Sequence, residues 1–431
     1  MVFFIHCYFF LSIIVYCNIN LFMNKFLKDF KEKGYFYQCT DEKGLSDILN
    51  KQKIKAYIGF DCTAESLHVG SLMQIMCLKL LQDNGHQPIV LLGGGTTRIG
   101  DPSGKDKTRQ ILDEKTIEKN ITNIRKILEN YLITEDEKVK PIFVNNFDWL
   151  KNLNYISFLR EIGKHFTINK MLSFDSVKLR LDREQSLSYM EFNYMILQAY
   201  DFLELNKKEN CLLQIGGSDQ WGNIVNGVDL IKRFSNKNVY GLTTPLITLA
   251  SGAKMGKTEN GAIWLDKKLL SAYDFWQFWR NIDDKDVSKF LKYFTNLSID
   301  KINQIEKYEI NKQKIILANE ATKLLHGEKE AKIAEETALK TFQDRSAGEG
   351  LPSVKIAEKE LNNIDIVSLI VLSDLESSKS EVKRIIKNKG VKIDNQIITD
   401  EKIKINKDFF KGRNFFRLSL GKKRHIKISL K

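Results

Sequence analysis

The stretch 57–71 limits the possible folds of this chain most strongly, because an apolar run changes there directly into the start of a helix. Residues 55–60 have strand character. From Ser66 onward, apolar residues recur at three- and four-residue spacing, which predicts a helix that Gly85 ends and that Thr63 or Ser66 caps. A strand that leads into a helix offers free backbone N–H groups at the carboxyl edge of a parallel sheet, where phosphates bind.

A second buried strand is predicted at 88–92, and a glycine-rich loop follows it at 93–105. The loop lacks the residue spacing of a P-loop, and Arg98 stands where the dinucleotide fingerprint needs its third glycine. Strand and helix patterns alternate from Gly44 to about Leu249. This alternation predicts the α/β class, with a doubly wound parallel sheet.

Three motifs, in this order, resemble those of the bacterial tyrosyl-tRNA synthetases, a family of class I aminoacyl-tRNA synthetases. They are Gly59-Phe-Asp-Cys-Thr-Ala64, His68-Val-Gly-Ser71 and Gly100-Asp-Pro-Ser-Gly-Lys105. The second motif is similar to the HIGH signature of that class. The resemblance extends from about Asn24 to Lys431, whereas His68 by itself would indicate only a partly buried structural histidine.

The resemblance implies a Rossmann-like catalytic domain, an α-helical domain that contacts the anticodon stem, and a small basic α+β RNA-binding domain like one in a ribosomal small-subunit protein. In this family a helical insertion in the catalytic domain forms the contact of a homodimer. The expected boundaries are 23–250 for the catalytic domain, about 145–185 for its insertion, 251–268 for a mobile loop, 269–342 for the helical domain, 343–360 for a linker and 361–431 for the RNA-binding domain.

One predicted helix carries Tyr194, Gln198 and Asp201 on a single face, because they are spaced i, i+4 and i+7. Such a polar face could simply be solvated. The resemblance implies that Tyr194 and Gln198, together with Asp101, hold the amino group of tyrosine. It also implies that Asp201 and Tyr57 meet the phenolic hydroxyl of the substrate.

The segment 214–223 contains paired glycines followed by Asp219, an acidic residue that can accept hydrogen bonds from ribose hydroxyls. Taken alone, this string is an ordinary turn. The resemblance implies that Gly217 and Asp219 contact the ribose of ATP and that Gln220 lies near the substrate carboxylate. The other ATP-binding residues that it implies are Gly59, Asp61, His68, Gly70 and Lys257.

The segment Lys254-Met-Gly-Lys-Thr258, in a loop flanked by Gly252 and Gly261, resembles the KMSKS signature. Lysines in such a loop are usually solvated, but after a HIGH-like motif they are expected to bind phosphate. No covalent enzyme intermediate is needed, so catalysis must come from positioning and from stabilising the leaving group. The residues expected to supply this are Thr63, His68, Lys105, Arg109, Lys254, Lys257 and Thr258. Mg²⁺ is expected to arrive with ATP, without a dedicated protein metal site.

This chain differs from the usual family pattern at three positions. Ser71 replaces the second signature histidine, Ile58 occupies a position that is often polar, and Cys62 stands where proline is common. A serine can donate a hydrogen bond but carries no charge. Thr63 and His68 are therefore expected to supply the function of that part of the site.

The formal net charge of +13 is concentrated at the carboxyl end. Residues 379–431 contain 17 Lys and Arg against 5 Asp and Glu. This asymmetry indicates a polyanion-binding module on an otherwise nearly neutral chain. Within it, a basic amphipathic helix at 378–390 presents Lys383, Arg384 and Lys387 as RNA-binding candidates, whereas Phe415 and Phe416 are expected to be core.

The first 22 residues contain no Lys, Arg, Asp or Glu. They lack the basic region of a secretory signal, and Met23 precedes a normal amphipathic helix, so we expect 1–22 not to be native, with a membrane anchor as the alternative. The six cysteines form no C-x-x-C pair. This spacing favours neither a zinc site nor disulfides, and a cytoplasmic location is expected.

The resemblance implies a tyrosine-tRNA ligase that uses L-tyrosine, ATP and tRNA(Tyr). Three other classes of protein are alternatives. A tryptophanyl-tRNA synthetase would share both signatures, but Asp201 with Tyr57 favours a phenol. A nucleotidyltransferase without tRNA would not need the basic tail. A non-catalytic RNA-binding protein would keep the tail but would not need the set of active-site cations.

Overall fold

The computed structural model describes residues 24–103, 112–252, 255–258, 261–340, 351–361, 363–421 and 424–431. The N-terminal segment 1–22, the residues Lys105, Arg109 and Lys254, and the first part of the expected linker lie outside this set. The described chain forms two compact units. One contains the residues up to Asp266 together with Ser288–Gln304, and the other contains Lys267–Val287 and Ile305–Lys431.

A six-stranded sheet organises the first unit. Its strands are β1 (Gln38–Cys39), β2 (Lys55–Phe60), β3 (Gln87–Leu92), β4 (Ile142–Asn145), β5 (Cys211–Gly217) and β6 (Tyr240–Thr244). Their order in the sheet is β1-β6-β5-β2-β3-β4, and all neighbours are parallel except β1 and β6. The strand order reverses between β2 and β5, so a crevice is expected at the carboxyl ends of these two strands. The predicted doubly wound parallel sheet is confirmed.

The connections of this sheet are helical, as the alternating pattern predicts. Residues 24–252 contain α1 (Lys25–Glu32), α2 (Glu42–Lys51), α3 (Leu72–Asp83), α4 (Gly94–Thr97), α5 (Glu114–Tyr131), α6 (Phe147–Leu150), α7 (Tyr155–Glu161), α8 (Ile168–Leu172), α9 (Asp175–Asp182), α10 (Tyr189–Glu209) and α11 (Trp221–Ser235). A two-stranded ribbon of β7 (Lys257–Thr258) and β8 (Gly261–Ala262) follows.

The long helix α10 begins at a complete capping box, in which Ser188 and Glu191 satisfy each other's backbone N–H groups. The buried guanidinium of Arg180 on α9 donates to Glu191 over 3.0 Å. The apolar face of α10, which includes Ala199 and Phe202, packs in one core with residues of β2 and β3 such as Tyr57. The polar residues of α10 are thereby held next to the sheet.

The second unit contains helices and a second sheet. Residues 267–340 contain α12 (Ala272–Arg280), α13 (Val287–Phe294), α14 (Ile299–Ile305), α15 (Ile310–His326) and α16 (Glu328–Leu339). Nearly all of α13 and α14 belongs to the first unit, and the other three helices belong to the second. The carboxyl end contributes β9 (Ser353–Ile356), α17 (Ile366–Leu372), α18 (Lys379–Lys387), β10 (Val391–Ile393), β11 (Gln396–Ile398), β12 (Phe415–Leu420) and β13 (Arg424–Leu430).

The second sheet has the order β11-β10-β12-β13-β9, and β9 is parallel to β13. The expected linker segment therefore includes a strand of this sheet. Phe416 is fully buried in the core of the sheet, as expected. Phe415 is only partly buried, and its ring contacts the side chains of Arg413 and Lys427 instead of the core. None of the described helices has both the length and the apolar character to cross a membrane.

Candidate active site

A cavity of about 320 Å³ lies at the carboxyl ends of β2 and β5. It receives residues from the turns after four parallel strands and from the polar face of α10. Eleven of the predicted site residues line it, namely Tyr57, Gly59, Asp61, Gly70, Asp101, Tyr194, Gln198, Asp201, Gly217, Asp219 and Gln220. The fold therefore gathers residues that are as far as 163 positions apart in the chain, between Tyr57 and Gln220.

The remaining predicted residues lie elsewhere or outside the described set. Thr63 is exposed, and neither Thr63 nor His68 is among the residues that line the cavity. The ring of His68 lies against Gly70, which does line it. For Lys257 and Thr258 the structure describes the backbone as strand β7. The three RNA-binding candidates on α18 belong to the second unit.

Two buried oxygen-bearing side chains, Tyr57 and Asp201, mark one part of the cavity, and each is 1% exposed. The Tyr57 hydroxyl has no hydrogen-bond partner among the described residues. The carboxylate of Asp201 accepts from Trp149 Nε1 over 2.7 Å and from Asn146 Nδ2 over 2.9 Å. Burial raises the pKa of Asp201 to about 7, although these two donors act in the opposite direction. A polar ligand group would pair with the Tyr57 hydroxyl.

A second carboxylate region surrounds Asp61 and Asp101. Asp61 accepts from the Tyr194 hydroxyl over 3.0 Å and from Thr96 Oγ1 over 2.7 Å. Asp101 accepts from Gln220 Nε2 over 2.8 Å. Burial, followed by the charge of Asp61, raises the pKa of Tyr194, so its phenol stays neutral and donates. This cluster of oxygens suits a cationic group such as an ammonium.

The signature turn differs locally from expectation. Neither Thr63 nor Ser66 caps the helix, because a 3₁₀ turn at Val69–Ser71 comes first and His68 occupies its N-cap. The Nδ1 atom of His68 accepts from the Gly70 N–H over 3.0 Å. A neutral imidazole that accepts at Nδ1 carries its proton on Nε2. The sequence pattern predicted the helix but could not show that a ring nitrogen replaces the hydroxyl cap.

The glycine at position 70 is required by its surroundings. A Cβ there would lie 2.6 Å from His68 Cε1 and 3.0 Å from the carbonyl oxygen of Met255. Gly70 does line the cavity, but the histidine ring and the KMSKS-like segment already occupy the space of a side chain.

The HIGH-like and KMSKS-like segments converge, as the resemblance requires. The N–H of Val69 donates to the carbonyl of Ile263 over 2.9 Å, and the N–H of Leu265 donates to the carbonyl of Leu67 over 2.9 Å. A Cβ on Gly256 would lie 2.6 Å from His68 Nδ1. The backbone next to Lys257 is therefore in contact with the signature histidine, although the two segments are far apart in the sequence.

Several residues of the site were missed by the sequence analysis. Asn146 and Trp149 hold Asp201, and Asn223 donates to both Gln198 and Gln220, over 3.1 and 3.0 Å. The segment 245–247 lines the cavity directly after β6. This segment could have been found from the rule that ligands bind at the carboxyl ends of parallel strands. The amide contacts have no signal in a single sequence.

Residues 49–343 match the family described as tRNA synthetases class I (W and Y). The match covers more than half of the chain, so the chain belongs to the class I tRNA synthetases. The tyrosine–tRNA ligase of Pelagibacter ubique (strain HTCC1062) is 71% identical to it over 409 residues, which are 95% of this chain and 100% of the relative. The tyrosine–tRNA ligase of Wolbachia pipientis subsp. Culex pipiens (strain wPip) is 53% identical over 94% of this chain and 97% of the relative.

Solved structures agree with these sequence relatives. A C-terminally truncated mitochondrial tyrosyl-tRNA synthetase from Aspergillus nidulans has a TM-score of 0.67 and 29% identity, over 74% of this chain and 94% of that chain. Within its class, the chain is thus a bacterial tyrosyl-tRNA synthetase. These findings favour the tyrosyl family over the alternatives that the sequence left open.

Proposed function

We propose that the cavity is where this ligase makes tyrosyl-adenylate and then tyrosyl-tRNA(Tyr). In the first step an oxygen of the tyrosine carboxylate attacks the α-phosphorus of ATP, the bond to the bridging oxygen breaks, and pyrophosphate leaves. In the second step a hydroxyl of the 3′-terminal ribose attacks the tyrosyl carbonyl carbon, and AMP leaves. The observation that carries this assignment is the buried, unpaired hydroxyl of Tyr57 in the same cavity as the carboxylate of Asp201.

The tyrosine substrate lies between the two carboxylate regions. Its phenolic hydroxyl pairs with Tyr57 and Asp201, and its ammonium is held by Tyr194, Gln198 and Asp101. Support comes from the geometry, since all five line one cavity and the oxygens near Asp101 suit a cation. Gln220 donates to Asp101. Because Asp101 holds the ammonium of the substrate, Gln220 lies near the substrate carboxylate, which is on the same carbon atom as the ammonium.

ATP occupies the part of the cavity next to β2, β5 and the signature turn. Its contacts are Gly59, Asp61, His68, Gly70, Gly217, Asp219 and Lys257. The leaving pyrophosphate is stabilised by Thr63, His68, Lys105, Arg109, Lys254, Lys257 and Thr258. An exposed Thr63 fits a role at the rim of the cavity, where a triphosphate would extend out of it. Cations placed where charge develops lower the barrier without a covalent intermediate.

Mg²⁺ reaches the site with the triphosphate, whose oxygens are the ligands that this ion prefers. The described residues contain no cluster of three His, Cys, Asp or Glu that could hold a metal ion. A reducing cytoplasm is the proposed location. Cys39, Cys62, Cys77 and Cys211 are all free thiols, and such thiols persist where disulfides are reduced.

The tRNA is held in part by the basic helix α18. Lys383, Arg384 and Lys387 lie on this helix, and the Lys383 and Arg384 side chains are 52% and 72% exposed. Both engage only surface glutamates, Glu401 and Glu381, and such exposed pairs exchange readily for phosphate. We keep the expected boundaries of the catalytic and helical domains, but we begin the RNA-binding domain before β9, because that strand belongs to its sheet.

A homodimer forms through the face of the helical insertion. Tyr155, Ile156 and Tyr189 on this face are 58%, 69% and 66% exposed. An apolar cavity of about 450 Å³ adjoins them, lined by Phe147, Phe158 and other residues of α6, α7 and α10. Exposed apolar surface of this kind marks a protein interface. We therefore expect Ile156→Asp to yield monomers in analytical ultracentrifugation, and Ile133→Asp, at a 78% exposed position outside this face, to leave the dimer intact.

The amino-acid specificity is tested by ATP–pyrophosphate exchange with tyrosine, tryptophan and phenylalanine. Tyrosine should drive exchange and the other two should not, because an amino acid without a phenol leaves the buried Tyr57 hydroxyl without a partner among the described residues. Exchange driven equally well by tryptophan would contradict the assignment of the phenol pocket.

A further inference from the structure

Cys62 is held by two buried hydrogen bonds that come from different helices. Its N–H donates to Thr97 Oγ1 over 2.7 Å, and its carbonyl oxygen accepts from Asn120 Nδ2 over 2.9 Å. Cys62, Thr97 and Asn120 are 0%, 8% and 1% exposed. Thr97 ends α4 and Asn120 lies on α5. Both peptide groups that flank Cys62 are therefore fixed by side chains from outside its own segment.

The two hydrogen bonds to Cys62 form where the backbone of β2 no longer has hydrogen-bond partners in the sheet. The ladder between β2 and β3 ends at Phe60, and the N–H of Gly93 donates to the Phe60 carbonyl just beyond it. After this point the backbone of β2 leaves the sheet. A buried N–H without a partner costs about 1–3 kcal/mol, so the Thr97 hydroxyl meets a need that the sheet no longer meets.

The held residue stands between two residues that we assign to the ATP site. Asp61 precedes Cys62 and lines the cavity, and the exposed Thr63 follows it. The peptide groups on either side of Cys62 set the directions in which these neighbours project. Fixing both groups therefore fixes the two side chains relative to the nucleotide.

We infer that Thr97 and Asn120 are positioning residues of the activation step, a role that rests on the proposed placement of Asp61 and Thr63 at ATP. They touch neither substrate and act through the backbone of Cys62. The resemblance puts proline at this position in other members, and proline has no N–H to donate. The hydrogen bond to Thr97 can form in this chain because Cys62, unlike proline, has a backbone N–H.

The first test compares Thr97→Val with Thr97→Ser by tyrosine-dependent ATP–pyrophosphate exchange and by tyrosine binding. Valine keeps the volume but loses the hydroxyl, so kcat should fall, or KM for ATP should rise, by about tenfold, corresponding to a lost buried hydrogen bond. The dissociation constant of tyrosine should stay within about twofold, and serine should restore activity. Thr122→Val on the same helix as Asn120, where the hydroxyl is exposed, should match the wild type.

A double-mutant cycle removes the donor instead of the acceptor. In Cys62→Pro the N–H is gone, so adding Thr97→Val should change exchange activity by less than about twofold. If Thr97→Val alone does not fold, the comparison of Cys62→Pro with the double variant still tests whether Thr97 acts through the N–H of Cys62. An equal Thr97→Val penalty in both backgrounds, a failure of serine to rescue, or an equal loss of tyrosine affinity would overturn the inference.

The assignment of the ATP site can fail independently. Thr63→Ala tests it, because this variant should weaken activation without loosening the backbone. Unchanged activation in Thr63→Ala would contradict the proposed site itself. An impaired Thr63→Ala together with a fully active Thr97→Val would contradict only the positioning role.

Discussion

Among the single residues of the site, Asp201 is held in place by both burial and hydrogen bonds. It is buried, it accepts from an indole and from an amide, and it lies in the same cavity as a tyrosine hydroxyl that has no partner among the described residues. Its helix position was predictable from i, i+4 and i+7 spacing. Its partners Asn146 and Trp149 were not, because nothing in a single sequence links positions more than 50 residues apart.

Replacing Asp201 by alanine tests amino-acid discrimination. Without the carboxylate, tyrosine loses the hydrogen bond that its phenol would donate to Asp201, so the ratio of kcat/KM for tyrosine over phenylalanine should fall roughly tenfold or more. The ratio is measured by ATP–pyrophosphate exchange with each amino acid. Glu209→Ala, at the last residue of the same helix, where Glu209 forms a partly exposed ion pair with Lys55, should leave the ratio unchanged. An unaltered ratio in Asp201→Ala would count against the phenol pocket.

The ionisation of Asp201 should also be visible in stability. Its pKa in the folded protein is about 7, above the ordinary value of 3.8, so the folded state holds this proton more tightly than the unfolded state. Stability from this group is therefore present at low pH and is lost as pH rises from about 4 to about 7. Denaturant unfolding should show Asp201→Asn gaining stability relative to wild type across that range. Parallel pH curves for the two proteins would show that the carboxyl titrates normally.

Among the elements, the strand, turn and helix from β2 to α3 contribute Tyr57, Asp61 and Gly70 to the cavity. The strand was predicted at its observed bounds, and the helix was predicted by its apolar spacing. The helix start was not, because the sequence rules favour a hydroxyl cap whereas His68 and a 3₁₀ turn fill that role. The convergence of the KMSKS-like segment was implied by resemblance alone, since it depends on backbone pairing between residues 67–69 and 263–265.

Gly256 tests the contact between these two segments. A Cβ there would lie 2.6 Å from His68 Nδ1, so Gly256→Ala should displace the loop from the signature turn and lower kcat of exchange by about tenfold or more. Tyrosine binding, measured by equilibrium titration, should not change. Gly261→Ala is the matched control, because its φ of +104° is close to the +106° of Gly256 but nothing lies within 4 Å of its Cβ. Equal losses in both variants would assign the effect to backbone strain.

Along the whole chain, positive charge is concentrated in the terminal module that we propose binds RNA. The basic residues of α18 belong to the second unit, and the cavity belongs to the first. The sequence predicted a basic terminal module from the distribution of charge, whereas the second unit also contains helices from residues 267–340. The sequence could not predict which parts of the terminal module pair, such as β9 with β13, because these strands are more than 60 residues apart.

Replacing Lys383, Arg384 and Lys387 together by alanine should spare exchange and weaken tRNA charging. KM for tRNA should rise, and its dependence on salt should become shallower by up to about three phosphate contacts. Aminoacylation at several salt concentrations measures both. A variant with alanine at the exposed residues Lys126, Lys138 and Lys140 is the control for lost positive charge. The same salt slope in both variants would contradict a role of α18 in phosphate contact.

The proposed function depends on the cavity between β2 and β5 binding the phenol of tyrosine at Tyr57 and Asp201. A crystal structure with a non-hydrolysable tyrosyl-adenylate analogue would show where the phenol binds. We expect the phenolic oxygen within hydrogen-bond distance of Tyr57 Oη and Asp201, with the adenosine next to the signature turn. An analogue bound with its ring elsewhere, so that its phenol does not contact the Tyr57 hydroxyl, would contradict the proposed function.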